Sequence, residues 1–351
     1  MEEKLTFLRV LEINIDELAQ GLSELYFLVR GQRRDPAYWK WRYLRNPFRK
    51  SILSVAIRGD RVVGIYGLLY LVLTVQGQRV IGGLLGDLFI HPAERSWGCF
   101  RGLAEMNIAE SQKDNAAFHF GVSPSSLRKL SQQLGAVSLG RLPIYLGLLN
   151  IPRVLEGRSV PFPLSLAGRI LQPFVGLSNR RISCNDLDIR PIERFDSAFD
   201  ELWSNVVGNR SIAVQKNAVY LNWRYGECPG LRFGRLAAYR EKRLEGLVIF
   251  CISDLRNGSL ILELMARDDN LDTMKALLLQ VILELRAQKI GHITASFPAE
   301  SRAAVVLKEL GFKPWGARFW NTPEIIVASP PKESCPELNL KNWDLSLGDW
   351  I

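Results

Sequence analysis

The chain is poor in the residues that bind metals or form cross-links. It holds three histidines and five cysteines in 351 residues, and no two cysteines form a CxxC pair. A metal centre or a disulfide framework is therefore not expected, and the thiols read as reduced. The start, Met1-Glu2-Glu3-Lys4, lacks the positive end and apolar core of a signal peptide. No stretch reaches the roughly 18 uncharged apolar residues of a membrane span; the longest candidate, Gly64 to Val75, reads as a strand. There is no run of Lys or Arg such as a nucleic-acid arm carries, although the net charge is +9. These absences point to a cytoplasmic protein without metal, for which nucleic acid is not the favoured partner. The surplus of positive charge suits an anion: a phosphate-bearing cofactor, a nucleic acid or an acidic membrane face. Nothing in the composition fixes an oligomeric state.

What the chain does have is a repetition. Tyr38-Trp39-Lys40-Trp41-Arg42-Tyr43 returns 182 residues later as Tyr220-Leu221-Asn222-Trp223-Arg224-Tyr225, each copy before a Pro-containing break at Asn46-Pro47 and Cys228-Pro229. Arg61-Val62-Val63-Gly64 matches Arg243-Leu244-Glu245-Gly246 at the same offset. Asp87-Leu88-Phe89 matches Glu263-Leu264-Met265, and Leu134-Gly135 matches Leu310-Gly311, both 176 apart. A period this long is a duplicated domain, since solenoid units run to roughly 20–50 residues. The halves are expected at 1–150 and 187–329. An apolar, Pro-containing connector spans 151–186, and a tail that docks through Trp343 and Trp350 spans 330–351. Within the connector, Leu164 to Val175 either packs as an extra arm, the favoured reading, or makes peripheral contact with a membrane surface.

In the first half the pattern predicts a helix near Asp16 to Arg30, with Asp16 as its N-cap. Strands follow over Ser51 to Ile57, Val62 to Thr74 and Val80 to Ile90, joined by the turns Gly59-Asp60 and Gln76-Gly77. The meander ends at His91-Pro92. Arg95-Ser96-Trp97-Gly98 then opens a helix over Cys99 to Ser111. A strand-to-helix corner of this kind presents unpaired N–H groups and the positive end of the helix dipole to an anion. Arg95 and Arg101 can add direct contacts to phosphate. A strand over Ala117 to Val122 and a short helix to Gln133 complete the half, closed by Leu134-Gly135.

The order of these elements, with the stretch from Gly86 to Leu103, resembles the Gcn5-related N-acetyltransferase (GNAT) superfamily in a tandem, two-domain form. The resemblance implies an α/β (α+β) fold: two tandem domains, each a mixed, mainly antiparallel sheet flanked by helices. It implies an acyl-CoA-dependent N-acyltransferase whose donor is acetyl-CoA or another acyl-CoA. The acceptor would be a small-molecule amine or amino sugar. Carried over, Leu88, Phe89 and Ile90 match the strand that bonds the pantetheine arm. Arg95, Ser96, Trp97, Gly98, Cys99, Phe100 and Arg101 match the loop that wraps the pyrophosphate; Phe100 stands where the family has a small residue. In the second half Arg267-Asp268-Asp269-Asn270 replaces that loop, and its carboxylates would repel a diphosphate. This copy is expected to lack a donor site.

Acyl transfer to an amine needs a base, an oxyanion donor and an acid for the leaving thiolate. Asp87 is the candidate base, with Glu263 its counterpart; the alternative for Asp87 is a strand-end carboxylate paired with an arginine. The family's acid is a tyrosine at a place taken here by Ser131 and Leu307, so Tyr145 is the substitute candidate. Trp41 and Tyr43 either line the acceptor cleft or anchor each copy's helical segment on its sheet; their presence in both copies favours the anchor. His119 reads as a core histidine. Cys99, at a helix start where thiol pKa values fall, reads as a packing residue. A non-catalytic tandem binding protein and a Fem-type aminoacyl transferase are the alternative functions.

Overall fold

A computed structural model describes residues 4–11, 14–123, 127–155, 177, 186–208, 210–253, 257–315, 324–328 and 339–350. Most of the connector, including 164–175, and the start of the tail lie outside the described residues.

The first half runs β1 (Leu5–Arg9), α1 (Ile15–Arg30), α2 (Pro36–Trp39), β2 (Ile52–Arg58), β3 (Arg61–Val75), β4 (Gln78–Ile90), α3 (Trp97–Lys113), β5 (Phe118–Ser123), α4 (Arg128–Gln133), β6 (Val137–Arg141), β7 (Ile144–Leu148) and α5 (Ile151–Leu155). Strands β2 to β4 form the antiparallel meander, joined at the turns read from the sequence. The N-cap of α1 is Asn14, with Asp16 in the first turn, where a carboxylate still complements the dipole.

The second half repeats the plan as β8 (Asp188–Pro191), α6 (Ser197–Val207), β9 (Ile212–Val214), α7 (Ala218–Leu221), β10 (Phe233–Arg240), β11 (Arg243–Ser253), β12 (Gly258–Ala266), α8 (Leu271–Ala287), β13 (His292–Ser296), α9 (Arg302–Glu309), β14 (Lys313–Trp315) and β15 (Glu324–Ala328). The tail adds β16 (Trp343–Asp344).

The halves trade strands. The first sheet runs β1-β2-β3-β4-β5-β15-β6, so a strand from the second half lies between two of the first. The second runs β14-β7-β13-β12-β11-β10-β8, with β7 of the first half inserted. In addition, β9 pairs with β3, and β16 with β9. Trp343 is buried against Phe118 and Phe120, with ring centroids 5.8 and 5.2 Å away.

The repeated hexapeptides form the join between the halves. Each follows a one-turn helix capped by the residue before it, Asp35 to Ala37 N–H and Asn217 to Tyr220 N–H. Each continues as a π-turn, with Arg45 N–H bonded to Lys40 O and Glu227 N–H to Asn222 O. The indoles of Trp41 and Trp223 stack at 5.0 Å and 24°. Trp41 Nε1 donates to Trp223 O at 3.0 Å, and Trp223 Nε1 donates to Trp41 O at 3.3 Å. The reciprocity marks a local two-fold relation between the copies.

Candidate functional site

In both sheets the parallel pair at the centre parts company. β4 pairs with β5 from Gly82 to Leu85 and then runs on unpaired on that side to Ile90. β12 pairs with β13 from Gly258 to Ile261 and runs on to Ala266. A register shift interrupts each strand's other edge at the same place, between Ile65 and Gly67 of β3 and between Ile249 and Phe250 of β11. At the first bulge Asp87 takes φ 49°, a left-handed conformation that short polar side chains tolerate.

Beside the gap of the first half lies the corner before α3. Ser96 caps the helix by accepting from Cys99 N–H at 3.2 Å. A Cβ on Gly98 would meet nothing within 4 Å, so the backbone there can be approached closely. Phe100 turns inward, 3% exposed, with its ring 6.0 Å from Tyr66; Trp97 remains 39% exposed. The Phe100 ring does not come within 4 Å of a Cβ at Gly98. Arg95 is exposed, its Nε 3.4 Å from Ile90 O, and Arg101 pairs with Glu105 on the surface. Burial pushes the Cys99 thiol up to about 11, the reverse of the shift expected at a helix start. Behind the corner a cavity of about 30 Å³ is lined by Tyr66, Leu85, Phe100, His119, Ser131 and Leu134. Burial lowers His119 to about 4, so it stays neutral. The open Gly98, the capped helix and the free edge of β4 from Leu88 to Ile90 fit a diphosphate with an extended arm. Those residues would hold an acyl-CoA there.

On the opposite face of the first sheet stand the repeated residues. Tyr43 packs so closely over Gly67 that a Cβ there would lie 1.8 Å from its hydroxyl. Tyr43 Oη donates to Asp87 Oδ2 at 2.6 Å, and Arg42 Nε lies 2.8 Å from the same oxygen. Burial, with the Asp87 carboxylate beside it, holds the Tyr43 phenol well above its ordinary pKa. Asp87 is thus paired with an arginine, the alternative set beside its reading as a base. The second half repeats the grouping: Tyr225 Oη donates to Glu263 Oε1 at 2.6 Å. Trp41, Tyr43 and Glu263, candidate substrate contacts, are buried at 3, 1 and 1% exposure. Tyr145 lies in β7, within the core of the second sheet, and the structure does not bring it together with Asp87.

In the second half the tail enters the gap, leaving a cavity of about 30 Å³ lined by Lys216, Glu263, Met265, Phe297 and Ser346. Residues 346–349 lie against β12 at the bulge. Ser346, Lys216, Glu263 and Asp349 form one buried network, in which Lys216 Nζ donates to Ser346 Oγ at 2.8 Å and to Glu263. Burial raises the Asp349 carboxyl to about 6 against the pull of Lys216, and Glu263 adds to the rise. At the corner, Asp269 and Asp344 hold the Arg210 guanidinium between them. Asn205 Nδ2 donates to Asp268 Oδ1 at 2.7 Å. The carboxylates at the degenerate loop are therefore spent on internal contacts, and one of them helps to pin the tail. Sequence reasoning weighed Arg42 only as part of the Trp-Arg-Tyr run and expected the tail to dock, but did not single out Arg42 as the partner of Asp87 or residues 346–349 as the ones that enter the second site. Only the coincidence of two Trp-Arg-Tyr runs with two carboxylates at matched offsets signalled Arg42.

Among the described residues no group of three His, Cys, Asp or Glu is placed to hold a metal ion. No described helix is long and apolar enough to cross a membrane.

Comparison with known proteins places these features. Residues 17–135 match the model of the Acetyltransferase (GNAT) domain. No curated protein matches the chain. Among solved structures, the tandem GNAT protein from the clavulanic acid biosynthesis pathway superposes with a TM-score of 0.61 at 15% identity, covering 94% of this chain and 100% of that one. N-myristoyltransferase of Saccharomyces cerevisiae with bound myristoyl-CoA gives 0.66 at 11% identity, covering 94 and 80%. A GCN5-related N-acetyltransferase from Anabaena variabilis gives 0.60 at 14%, covering 92 and 72%. The first half thus matches the GNAT domain, and the chain as a whole has the fold of a tandem GNAT protein.

Proposed function

We propose that the protein is an acyl-CoA-dependent N-acyltransferase that uses its first half for the donor. The observation that carries this reading is the asymmetry of the two corners. The first keeps an exposed arginine and a Gly98 whose Cβ position is open, while the second holds Arg210 between two carboxylates and lays the tail against β12. The donor's diphosphate lies at Trp97–Gly98 with Arg95 beside it, and its arm follows Leu88 to Ile90. The amine approaches from the face that carries Tyr43 and Asp87. Asp87 takes the proton, the amine nitrogen bonds to the thioester carbon, and the C–S bond breaks to release the thiolate. Tyr145 is too far inside the second core to protonate it, so water is the proton source in this scheme. Acetyl-CoA is the first donor to try, with longer chains beside it.

Calorimetric titration with acetyl-CoA and with a long-chain acyl-CoA tests the proposal on wild type and on Arg95→Glu. Binding by wild type that falls about tenfold or more on charge reversal supports it. No binding of either donor at millimolar concentration overturns it. The non-catalytic reading draws on the small, Phe100-lined cavity behind the corner; it gains if both donors fail to bind.

A further inference from the structure

The tail of this chain occupies, in the second half, a place that the first half offers to something else. Arg224 is 5% exposed, and both its Nε and its Nη2 donate to Gly348 O, at 3.3 and 3.1 Å. Gly348 is packed so tightly that a Cβ would lie 2.1 Å from Tyr225 Oη and 2.5 Å from Glu263 Oε1. A peptide carbonyl is thus held over the bulge of β12 by an arginine, next to a tyrosine–carboxylate pair. The first half has the same arginine, tyrosine and carboxylate over the bulge of β4. Arg42 is 3% exposed and its Nη1 is buried, yet that nitrogen has no hydrogen-bond partner. On Nε the place that Gly348 O takes at Arg224 is held by Asp87 Oδ2, while Nη1 has nothing, and a Cβ built on Gly86 would find only Arg42 Nη2 within 4 Å. A buried guanidinium N–H without a partner is costly, and a ligand that supplies an acceptor removes the cost.

The charge balance identifies the acceptor's chemistry. Arg42 is already neutralised by Asp87 at 2.8 Å. An added carboxylate or phosphate would be an uncompensated buried anion, whereas a neutral carbonyl is not. The sheet face identifies its source. Tyr66 points to α3 and packs on Phe100, on the side of the proposed donor corner. Tyr43 covers the neighbouring Gly67 from the other side, because successive strand residues face opposite ways. Asp87 Oδ2 takes both Tyr43 and Arg42, and the side chain keeps 14% exposure for a further contact.

We infer that the face over the β4 bulge, at Arg42 and Asp87, binds an amine that carries an amide carbonyl close to its nitrogen, such as the first residue of a peptide or an aminoacyl amide. The carbonyl is held by Arg42 Nη1 and the amine by Asp87, with Gly348 O on Arg224 showing that this arginine position can hold a peptide carbonyl. This rests on the acyltransferase reading for the role of the amine, but the carbonyl site stands on the geometry alone.

The test is ligand-observed NMR on the full chain without donor, using glycyl-glycine amide and N-(2-aminoethyl)glycine amide, its analogue with the first carbonyl reduced to methylene. Wild type is expected to bind the carbonyl compound about tenfold or more tightly. Arg42→Met is expected to bind the two equally, and Arg224→Lys to leave the preference unchanged. If removal of Arg42 unfolds the chain, Arg42→Met with Asp87→Asn removes the unpaired carboxylate and gives the same readout. Equal binding of the pair by wild type, or no binding of either at about 10 mM, overturns the inference. An acetyl-CoA against S-ethyl-CoA comparison separates the two sources of a carbonyl: if Arg42→Met abolishes a preference for acetyl-CoA and leaves the amides alone, the carbonyl belongs to the donor and the inference fails. Peptide amides that bind to a protein that ignores acyl-CoA would leave the carbonyl site standing and remove the acyltransferase reading.

Discussion

The two central gaps have the same architecture and opposite contents. In the second half the chain's own residues 346–349 lie over the bulge, satisfy Arg224 and enclose a lysine among two carboxylates. In the first half the corresponding arginine keeps an unpartnered Nη1, and a Cβ at Gly98 of the helix corner would meet nothing within 4 Å. A duplicated fold evidently need not duplicate a site. One copy can fill its site with segments already in the chain while the other leaves an arginine nitrogen without a partner.

The strongest way to break the comparison is to remove the element both halves share. Trp41→Ala deletes a nearly buried indole, its stacking on Trp223 and one of two reciprocal hydrogen bonds. A loss of about 3–5 kcal/mol is expected in denaturant unfolding, as for other buried aromatic truncations. Trp223→Ala should cost a similar amount. Because the rings share one contact, the double variant should lose less than the sum of the two, by about 0.5–3 kcal/mol. Strict additivity would mean that the two indoles stabilise their own halves only.

The halves should also answer acid in opposite directions. His119 of the first half is held neutral, with its pKa lowered from 6.5 to about 4 by burial. Its neutral form is what the fold accepts. Stability from this group is complete above about pH 6.5 and is lost as pH falls toward 4, by on the order of 3 kcal/mol. Asp349 of the second half is raised from 3.8 to about 6 by burial. Its charged form carries a penalty above about pH 6 that is relieved as pH falls toward 4, so this group makes the protein relatively more stable in acid. Unfolding free energies measured from pH 4 to 7 should show His119→Gln reducing the acid loss and Asp349→Asn deepening it. Slopes unchanged in both variants would mean that neither group titrates differently in the folded chain.

Part of this was legible in the sequence. The duplication, the meander of the first half and the replacement of one phosphate corner by carboxylates follow from local pattern, and the strands at Ile52–Arg58 and Arg61–Val75 fall within a residue or so of where alternation puts them. The traded strands were not legible. Ile144–Leu148 alternates well enough to be a strand, but which sheet receives it depends on pairing with His292–Ser296, a non-local choice that no local period encodes. The role of Trp41-Arg42-Tyr43 was half legible. Its repetition argued for a structural anchor, which the stacked indoles are. That the anchor joins the halves, and that Arg42 is left with an unpaired N–H, depends on where a segment 124 residues beyond Arg224 in the chain comes to lie.

The smallest expected change in stability gives the sharpest functional contrast. Helix α3 is capped by Ser96, and its second residue is Gly98; helix α8 is capped by Asn270, and its second residue is Asp272, with 75% of its side chain exposed. Gly98→Asp therefore gives the first corner the charge of the second. The substitution has room, since a Cβ at 98 meets nothing within 4 Å, and a carboxylate at a helix N-terminus is favourable by about 0.3–1 kcal/mol. A corner that only starts a helix would become slightly more stable, and nothing else would change. A corner that receives a diphosphate would lose acyl-CoA affinity by tenfold or more while the melting temperature holds or rises, because the new carboxylate stands where the ligand's negative charge must lie. Affinity and stability that move together would instead show that the glycine serves the fold alone.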